Sequence, residues 1–279
     1  MPNLIIIGAI KSGTTSLHHY LSLHPEVAMS TPKELHFFSL DRNWKRGLAW
    51  YEGHFKREAK IRGESSPSYT RYPLLTQTPE RMYSVIPQAK LIYILRDPVT
   101  RLVSEYRQRL ADGTDLRPLP EILEDLKENQ YVYNSKYYTQ IQQYLGYYPE
   151  ENIFITTIEE LNKYPKPTMQ KIFRFLEISP AFDHPDFSRK LHKSDDKRLK
   201  NPVGLFLTRK FRNSELKNRI RAALPSVINE MYVSMSRSNI KVAAPILSDE
   251  LKQRLITELK ADTDRLRSFT GTNFDSWCL

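Results

Sequence analysis

A short apolar strand running straight into a loop suited to phosphate constrains this chain more than any other feature. Leu4-Ile5-Ile6-Ile7 leads into Gly8-Ala9-Ile10-Lys11-Ser12-Gly13-Thr14-Thr15-Ser16. A loop that grips phosphate needs inward-turning backbone N–H groups, a small residue at the tight bend, and a cation within reach. Lys11, Gly13 and the hydroxyls of Ser12, Thr14, Thr15 and Ser16 meet those needs. A helix expected over about residues 14–23 adds the positive end of its dipole. The spacing is not Gly-x-x-x-x-Gly-Lys-Ser/Thr, because Lys11 precedes Gly13. No obvious acidic metal partner follows the second strand, so magnesium-bridged ATP chemistry is not the expectation. A purely structural glycine turn is the plain alternative.

The rest of the chain repeats that unit. His24-Pro25 stops the first helix, because proline disfavours helical backbone in the residue before it. A short strand over 27–30 leads to a loop, 31–38, that holds both acid and base. A helix over 50–58 and a strand over 60–64 precede the turn Ser65-Ser66-Pro67-Ser68. The apolar strand 90–95 ends in Arg96-Asp97-Pro98, and the proline opens a helix through Arg101, Ser104, Tyr106 and Arg109. Helices over 135–147, 167–176, 216–231 and 248–266 and a strand over 153–157 follow. Strand, charged loop and helix in alternation predict an α/β fold, a central mostly parallel sheet flanked by helices. We expect a single domain over 1–279, with mobile cleft segments around 112–134 and 188–215.

Charge points to an anionic ligand: 42 Lys and Arg against 32 Asp and Glu give a net +10. The basic residues concentrate at Lys11 and Lys33, over 96–109 and over 190–200, rather than in one arm. That suits a highly phosphorylated small ligand better than nucleic acid. The apolar run 4–7 is too short for a secretion leader, and no stretch approaches 18 apolar residues. The single cysteine, Cys278, forms no internal disulfide. The expectation is a cytoplasmic protein without nucleic-acid or membrane partners.

Arg96 closes one strand and Ser104 lies about two turns into the next helix, so both can face one end of the sheet. Arginine offers phosphate a fork of donors, and serine a single one. For Arg96 alone the alternative is a salt bridge to Asp97. These motifs together resemble the sulfotransferases that use 3′-phosphoadenosine 5′-phosphosulfate (PAPS). The phosphate loop, Leu23-His24-Pro25, the 34–38 segment, Arg96-Asp97-Pro98 and Ser104-x-Tyr106 occur in that family's order and spacing. The likeness continues through 155–161 and 266–277, over nearly the whole chain.

The resemblance implies a P-loop NTPase-like sulfotransferase fold, PAPS as donor, 3′-phosphoadenosine 5′-phosphate (PAP) as product, and no metal. Lys11, Ser12, Gly13, Thr14, Thr15 and Ser16 would cradle the 5′-phosphosulfate, and Arg96 and Ser104 would hold the 3′-phosphate. The basic loop that closes over that phosphate in relatives is matched here by Lys190, His192, Lys193 and Arg198. Tyr137 stands where relatives often place an aromatic residue near the nucleotide, with a core tyrosine as the alternative.

For catalysis the resemblance assigns Lys11 to the charge on the transferred group and Glu34 to the general base. Burial beside Phe37 and Phe38 is expected to raise the Glu34 pKa. His36 lies two residues on, which in an extended loop puts it on the same side, as an orienter, a second acid/base or a hydrogen-bonded wall. His18 and His19, adjacent on a helix, cannot share a face as a metal pair. One departure stands out: Ser65 occupies a position where many glycan-directed relatives have lysine. The expected reaction is sulfuryl transfer to a hydroxyl of a small-molecule acceptor, a bacterial natural product, with an amine or carbamoyl nitrogen left open. A carbohydrate O-sulfotransferase is the alternative. Tyr69, Tyr72, Tyr131, Tyr133 and Tyr138 are either walls of an acceptor pocket or ordinary core and surface residues.

Overall fold

The structure is a computed structural model that describes residues 1–55, 58–188, 198–202, 204, 237–243 and 245–279. β1 (Leu4–Gly8) is buried along its whole length at the centre of a five-stranded sheet. With β2 (Val27–Met29), β3 (Ile61–Ser65), β4 (Lys90–Leu95) and β5 (Ile153–Thr157) it forms the order β2-β3-β1-β4-β5. Every neighbouring pair is parallel, with Leu4 opposite Gly63 on one side and Lys90 on the other. The α/β expectation therefore holds.

Both faces of this sheet are covered, and the alternation of side chains decides which residue enters which layer. Ile5, Ile7, Leu91, Tyr93 and Leu95 pack into one core layer with Tyr137, Ile141 and Tyr144. Leu4, Ile6, Ile92 and Ile94 enter the other, with Leu17, Leu21, Met169, Ile172 and Phe173. The helices are α1 (Thr14–Leu23), α2 (Asp41–Trp44), α3 (Leu48–Glu52), α4 (Thr78–Val85), α5 (Pro98–Ala111), α6 (Leu119–Ile122) and α7 (Gln130–Tyr133). They continue with α8 (Tyr137–Leu145), α9 (Ile158–Lys163), α10 (Pro165–Phe175) and α11 (Asp249–Thr270).

The described residues group into two compact units. The first comprises Met1–Leu102, Asp125–His192 and Asp249–Leu279, and contains the five-stranded sheet. The second comprises Val103–Glu124 and Lys193–Ser248. It contains the antiparallel pair β6 (Arg198–Lys200) and β7 (Arg237–Lys241), and Arg107 Nη2 donates to the Val242 carbonyl at 2.8 Å. Strands β4 and β5 match their expected limits, whereas the helix expected over 50–58 is the shorter α3, flanked by Gly47 and Gly53. The helix expected over 216–231 lies outside the described residues. Among the described residues no helix is long and apolar enough to cross a membrane.

Strand order decides where a ligand can sit. The connection after β1 runs to β2 on one side of it and the connection after β4 runs to β5 on the other, so a crevice opens between the carboxyl ends of β1 and β4. The loops after β1, β2, β3 and β4 all start at that edge.

Candidate active site

The loop after β1 has the backbone of an anion cradle. Lys11 (φ 67°) and Gly13 (φ 89°) are both left-handed, the conformation that turns successive N–H groups to one side. A Cβ at position 13 would also run into the Ile158 side chain, so glycine is required there twice over. Gly13 caps α1 without a side-chain bond, and the first turn holds no acidic residue. That leaves the helix start open to an anion, which fits a phosphate group. Ser12 is fully buried against Tyr137, Thr14 is buried at the helix start, and Thr15 and Ser16 are half-buried on the first turn.

Arg96 joins this loop from the end of β4. Its Nη1 donates to the Lys11 carbonyl at 3.4 Å, and the Tyr137 hydroxyl donates to the Arg96 carbonyl at 2.7 Å. Burial pushes the Tyr137 phenol upward, so it stays a donor. Tyr137 is thus a core residue that fixes the backbone of Arg96. Asp97 is engaged by backbone: Oδ1 accepts from Thr100 N at 2.7 Å, capping α5, and Oδ2 accepts from Cys278 N at 2.8 Å. Its own N–H donates to Glu159 Oε1 at 3.0 Å. Ser104 is buried on the part of α5 that belongs to the second unit, where exposed Arg198 also lies, on β6. Lys190, His192 and Lys193 lie outside the described residues.

The loop after β2 brings Glu34 to the same edge. Phe37 and Phe38 are fully buried, and Phe37 stacks on Tyr51 with ring centroids 4.3 Å apart. Asn43 Nδ2 holds the Leu35 carbonyl at 2.8 Å, so the loop is pinned on both sides of His36. Lys33 Nζ lies 2.9 Å from Glu34 Oε1 and donates to Thr14 Oγ1 at 3.2 Å, tying this loop to the phosphate loop. His36 Nε2 is 3.3 Å from Glu34 Oε2, while its Nδ1 meets Ser68 Oγ at 2.7 Å. Two expectations are corrected here. His36 is left-handed (φ 50°) rather than extended, and that backbone still sets its ring beside the carboxylate. Burial does raise the Glu34 pKa, but the His36 hydrogen bond and the Lys33 charge outweigh it and bring the carboxyl down to about 2.

Thirty residues on, β3 ends in a second carboxylate of a different kind. Glu64 is fully buried and accepts from Tyr51 Oη at 2.5 Å, Ser66 Oγ at 2.5 Å and Tyr69 Oη at 2.6 Å. Burial pushes its pKa up, against those three hydrogen bonds. Ser66 Oγ also accepts from His36 N at 3.0 Å, so the buried cluster sets the backbone of the base loop. Tyr69 is therefore a core residue, as is Tyr131, whose carbonyl accepts from the buried Arg101 at 2.6 Å.

Sequence reasoning overlooked Lys33, Ser66, Ser68 and Tyr51 as parts of the site. Lys33 left a signal, as a cation next to the base and close in sequence to the first helix, and Ser66 and Ser68 lie in the turn already read after the 60–64 strand. His18 and His19 do diverge: His19 Nε2 pairs with Asp186 Oδ2 at 3.2 Å. Burial and then the nearby Lys33 hold the His18 imidazole down at about 4. Among the described residues no group of three or more His, Cys, Asp or Glu is arranged to hold a metal ion.

A family model described as "Sulfotransferase domain" matches residues 1–234. Heparan sulfate glucosamine 3-O-sulfotransferase 5 of Homo sapiens is 32% identical over 193 residues, covering 64% of this chain and 54% of the relative. The bifunctional heparan sulfate N-deacetylase/N-sulfotransferase 2 of Homo sapiens is 30% identical over 219 residues, 71% of this chain and 24% of the relative. The chain thus spans about half the length of the first relative and a quarter of the second. A sulfotransferase structure from Alicyclobacillus acidocaldarius superposes with a TM-score of 0.69 over 99% of this chain and 98% of that one. At 22% identity that is a likeness of fold.

Proposed function

Because the chain belongs to the sulfotransferase domain family, we propose that it transfers a sulfuryl group from PAPS to an acceptor hydroxyl, with Glu34 as general base. One observation supports this reading above others: Arg96 Nη1 donates to the Lys11 carbonyl at 3.4 Å, so the Arg96 guanidinium lies against the phosphate loop. When bound, PAPS supplies an activated sulfuryl group on a phosphate leaving group. Lys11 and the first-turn N–H groups of α1 stabilise charge on that leaving oxygen. Arg96 and Ser104 hold the 3′-phosphate, and Lys190, His192, Lys193 and Arg198 remain the proposed closing loop. Glu34 accepts the acceptor's proton as the new O–S bond forms and the bond from sulfur to the phosphate oxygen breaks. His36 orients that carboxylate. Aligning both substrates removes much of the entropic barrier.

The acceptor class favoured here is a carbohydrate, because the relatives at about 30% identity are named for heparan sulfate. The 3-O-sulfotransferase at 32% favours a hydroxyl, and the N-sulfotransferase at 30% favours an amine nitrogen of the same acceptor class. A small hydroxylated natural product is the second reading. It is favoured by Ser65, which supplies no cation at a position where many glycan-directed relatives have lysine. We further propose that the reaction runs without metal and in the cytoplasm.

The test uses sulfur-labelled PAPS with two acceptor panels, desulfated glycosaminoglycan oligosaccharides and small hydroxylated natural products, each with and without EDTA. The expected result is label transfer in one panel, unchanged by EDTA and lost in Glu34→Gln while PAP still binds. Failure of the protein to bind PAP and to transfer label to either panel overturns the reading.

A further inference from the structure

Lys33 has two partners that belong to two different steps of the chemistry. Its Nζ lies 2.9 Å from Glu34 Oε1 and 3.2 Å from Thr14 Oγ1, the first residue of the helix that faces phosphate. Its backbone is held from two sides, with Ser65 N and Ser30 Oγ both donating to its carbonyl at 3.3 Å. The main chain is fixed while the ammonium, a compact charge on a flexible stem, stands between the two groups.

We propose that Lys33 is a further catalytic residue, a cation that moves from Glu34 to the sulfuryl oxygens when the phosphosulfate enters the loop, and by leaving frees Glu34 to accept the acceptor's proton. The inference rests on the donor reading above. A sulfuryl group carries negative charge to the turn where Thr14 already holds Nζ, and it competes there with a single carboxylate oxygen. The charged and titratable groups around Glu34 are Lys33 and His36 from its own loop and His18 from α1, with Glu64 of β3 facing His36. His18 is held in its neutral form, so once Lys33 moves away the remaining side-chain partner of Glu34 among the groups named is His36. The carboxylate then gains proton affinity at the step that uses it. A base armed only when the donor is present cannot deprotonate an acceptor unproductively.

The test is calorimetric titration of PAP and of PAPS into the wild type, Lys33→Met and Lys33→Arg, without acceptor. The Glu34 carboxyl is followed by carbon NMR over pH in the same samples. Loss of a charged hydrogen bond should weaken PAPS binding about 10-fold or more in Lys33→Met, with PAP changed less than about 2-fold. Lys33→Arg should recover part of the loss. In the wild type, PAPS should raise the pH at which Glu34 titrates, and PAP should not. Equal losses for the two nucleotides, or no PAPS-specific shift at Glu34, overturn the inference alone. A wild type that binds neither nucleotide overturns the donor reading, and the inference with it.

Discussion

Two carboxylates at the same edge of the sheet live in opposite surroundings. Glu34 is 41% exposed and faces the Lys33 ammonium and the His36 imidazole, whereas Glu64 is fully buried and faces three neutral hydroxyls. Burial pushes both upward. At Glu34 the His36 bond and the Lys33 charge win, so the group stays ionised. At Glu64 hydroxyl dipoles reduce the burial effect without cancelling it, so proton affinity stays above the ordinary value. A carboxylate whose proton affinity is set by a lysine on a flexible stem can be tuned by a ligand. One set by packed tyrosines cannot. The first suits chemistry, and the second suits holding a loop in place.

The strongest way to break that division is to remove each carboxylate's charge while keeping its shape. Glu34→Gln should lower kcat by about 10²–10⁴, the range a positioned general base contributes. PAP affinity and melting temperature should stay near wild type, checked by calorimetry and thermal melts. Glu64→Gln should do the reverse in rank. An amide nitrogen replaces one accepting oxygen, so at least one of Tyr51, Ser66 and Tyr69 loses its acceptor in the core. That costs about 1–3 kcal/mol of stability, read from denaturant melts. If Glu64→Gln lost turnover at unchanged stability while Glu34→Gln stayed active, the two roles would have to be exchanged.

How much of this was legible in the sequence follows the same line between local and assembled features. The phosphate loop, strands β4 and β5 and the position of Glu34 beside His36 were readable, because each depends on a contiguous run of residues. The Lys11–Arg96 neighbourhood was readable only through motif order, since strand pairing brings those positions together. The direction of the Glu34 shift was not. Phe37 and Phe38 argue for burial in the sequence, but the loop turns those rings inward and leaves the carboxylate between Lys33 and His36. The Glu64 cluster was invisible for a similar reason. Ser66 and Tyr69 lie on the one turn that follows β3, but Tyr51 comes from α3, and nothing in that spacing says that three hydroxyls converge on one buried acid. α4 was not read from the sequence, although Pro79 sits at the first helical positions, where proline is tolerated.

A finer test compares how the two carboxylates link stability to pH. Glu34 is lowered from 4.5 to about 2, so its contribution is present above pH 4.5 and lost as pH falls toward 2. Solvent screening of a group this exposed limits it to about 1 kcal/mol or less. Glu64 is raised from 4.5, so its contribution is present below that pH and lost as pH rises through the raised value. Denaturant melts from pH 3 to pH 7 should therefore give opposite slopes for wild type minus Glu34→Gln and wild type minus Glu64→Gln. Slopes of one sign would mean that the two sites are not distinct.

The smallest expected effect lies where the two regions touch. Ser68 Oγ meets His36 Nδ1 at 2.7 Å and Ser39 Oγ at 3.0 Å, so it steadies the imidazole that faces Glu34. Ser68→Ala removes that support without touching either carboxylate. One neutral hydrogen bond is worth about 1 kcal/mol, which corresponds to a loss of roughly 3- to 10-fold in kcat. KM for the donor and PAP affinity should not move, since Ser68 reaches the chemistry only through His36. In a His36→Gln background the same substitution should cost little more, because both changes break one chain of contacts. Full additivity in that double variant would show that Ser68 acts through the buried cluster instead, and would move His36 from the base region to the scaffold.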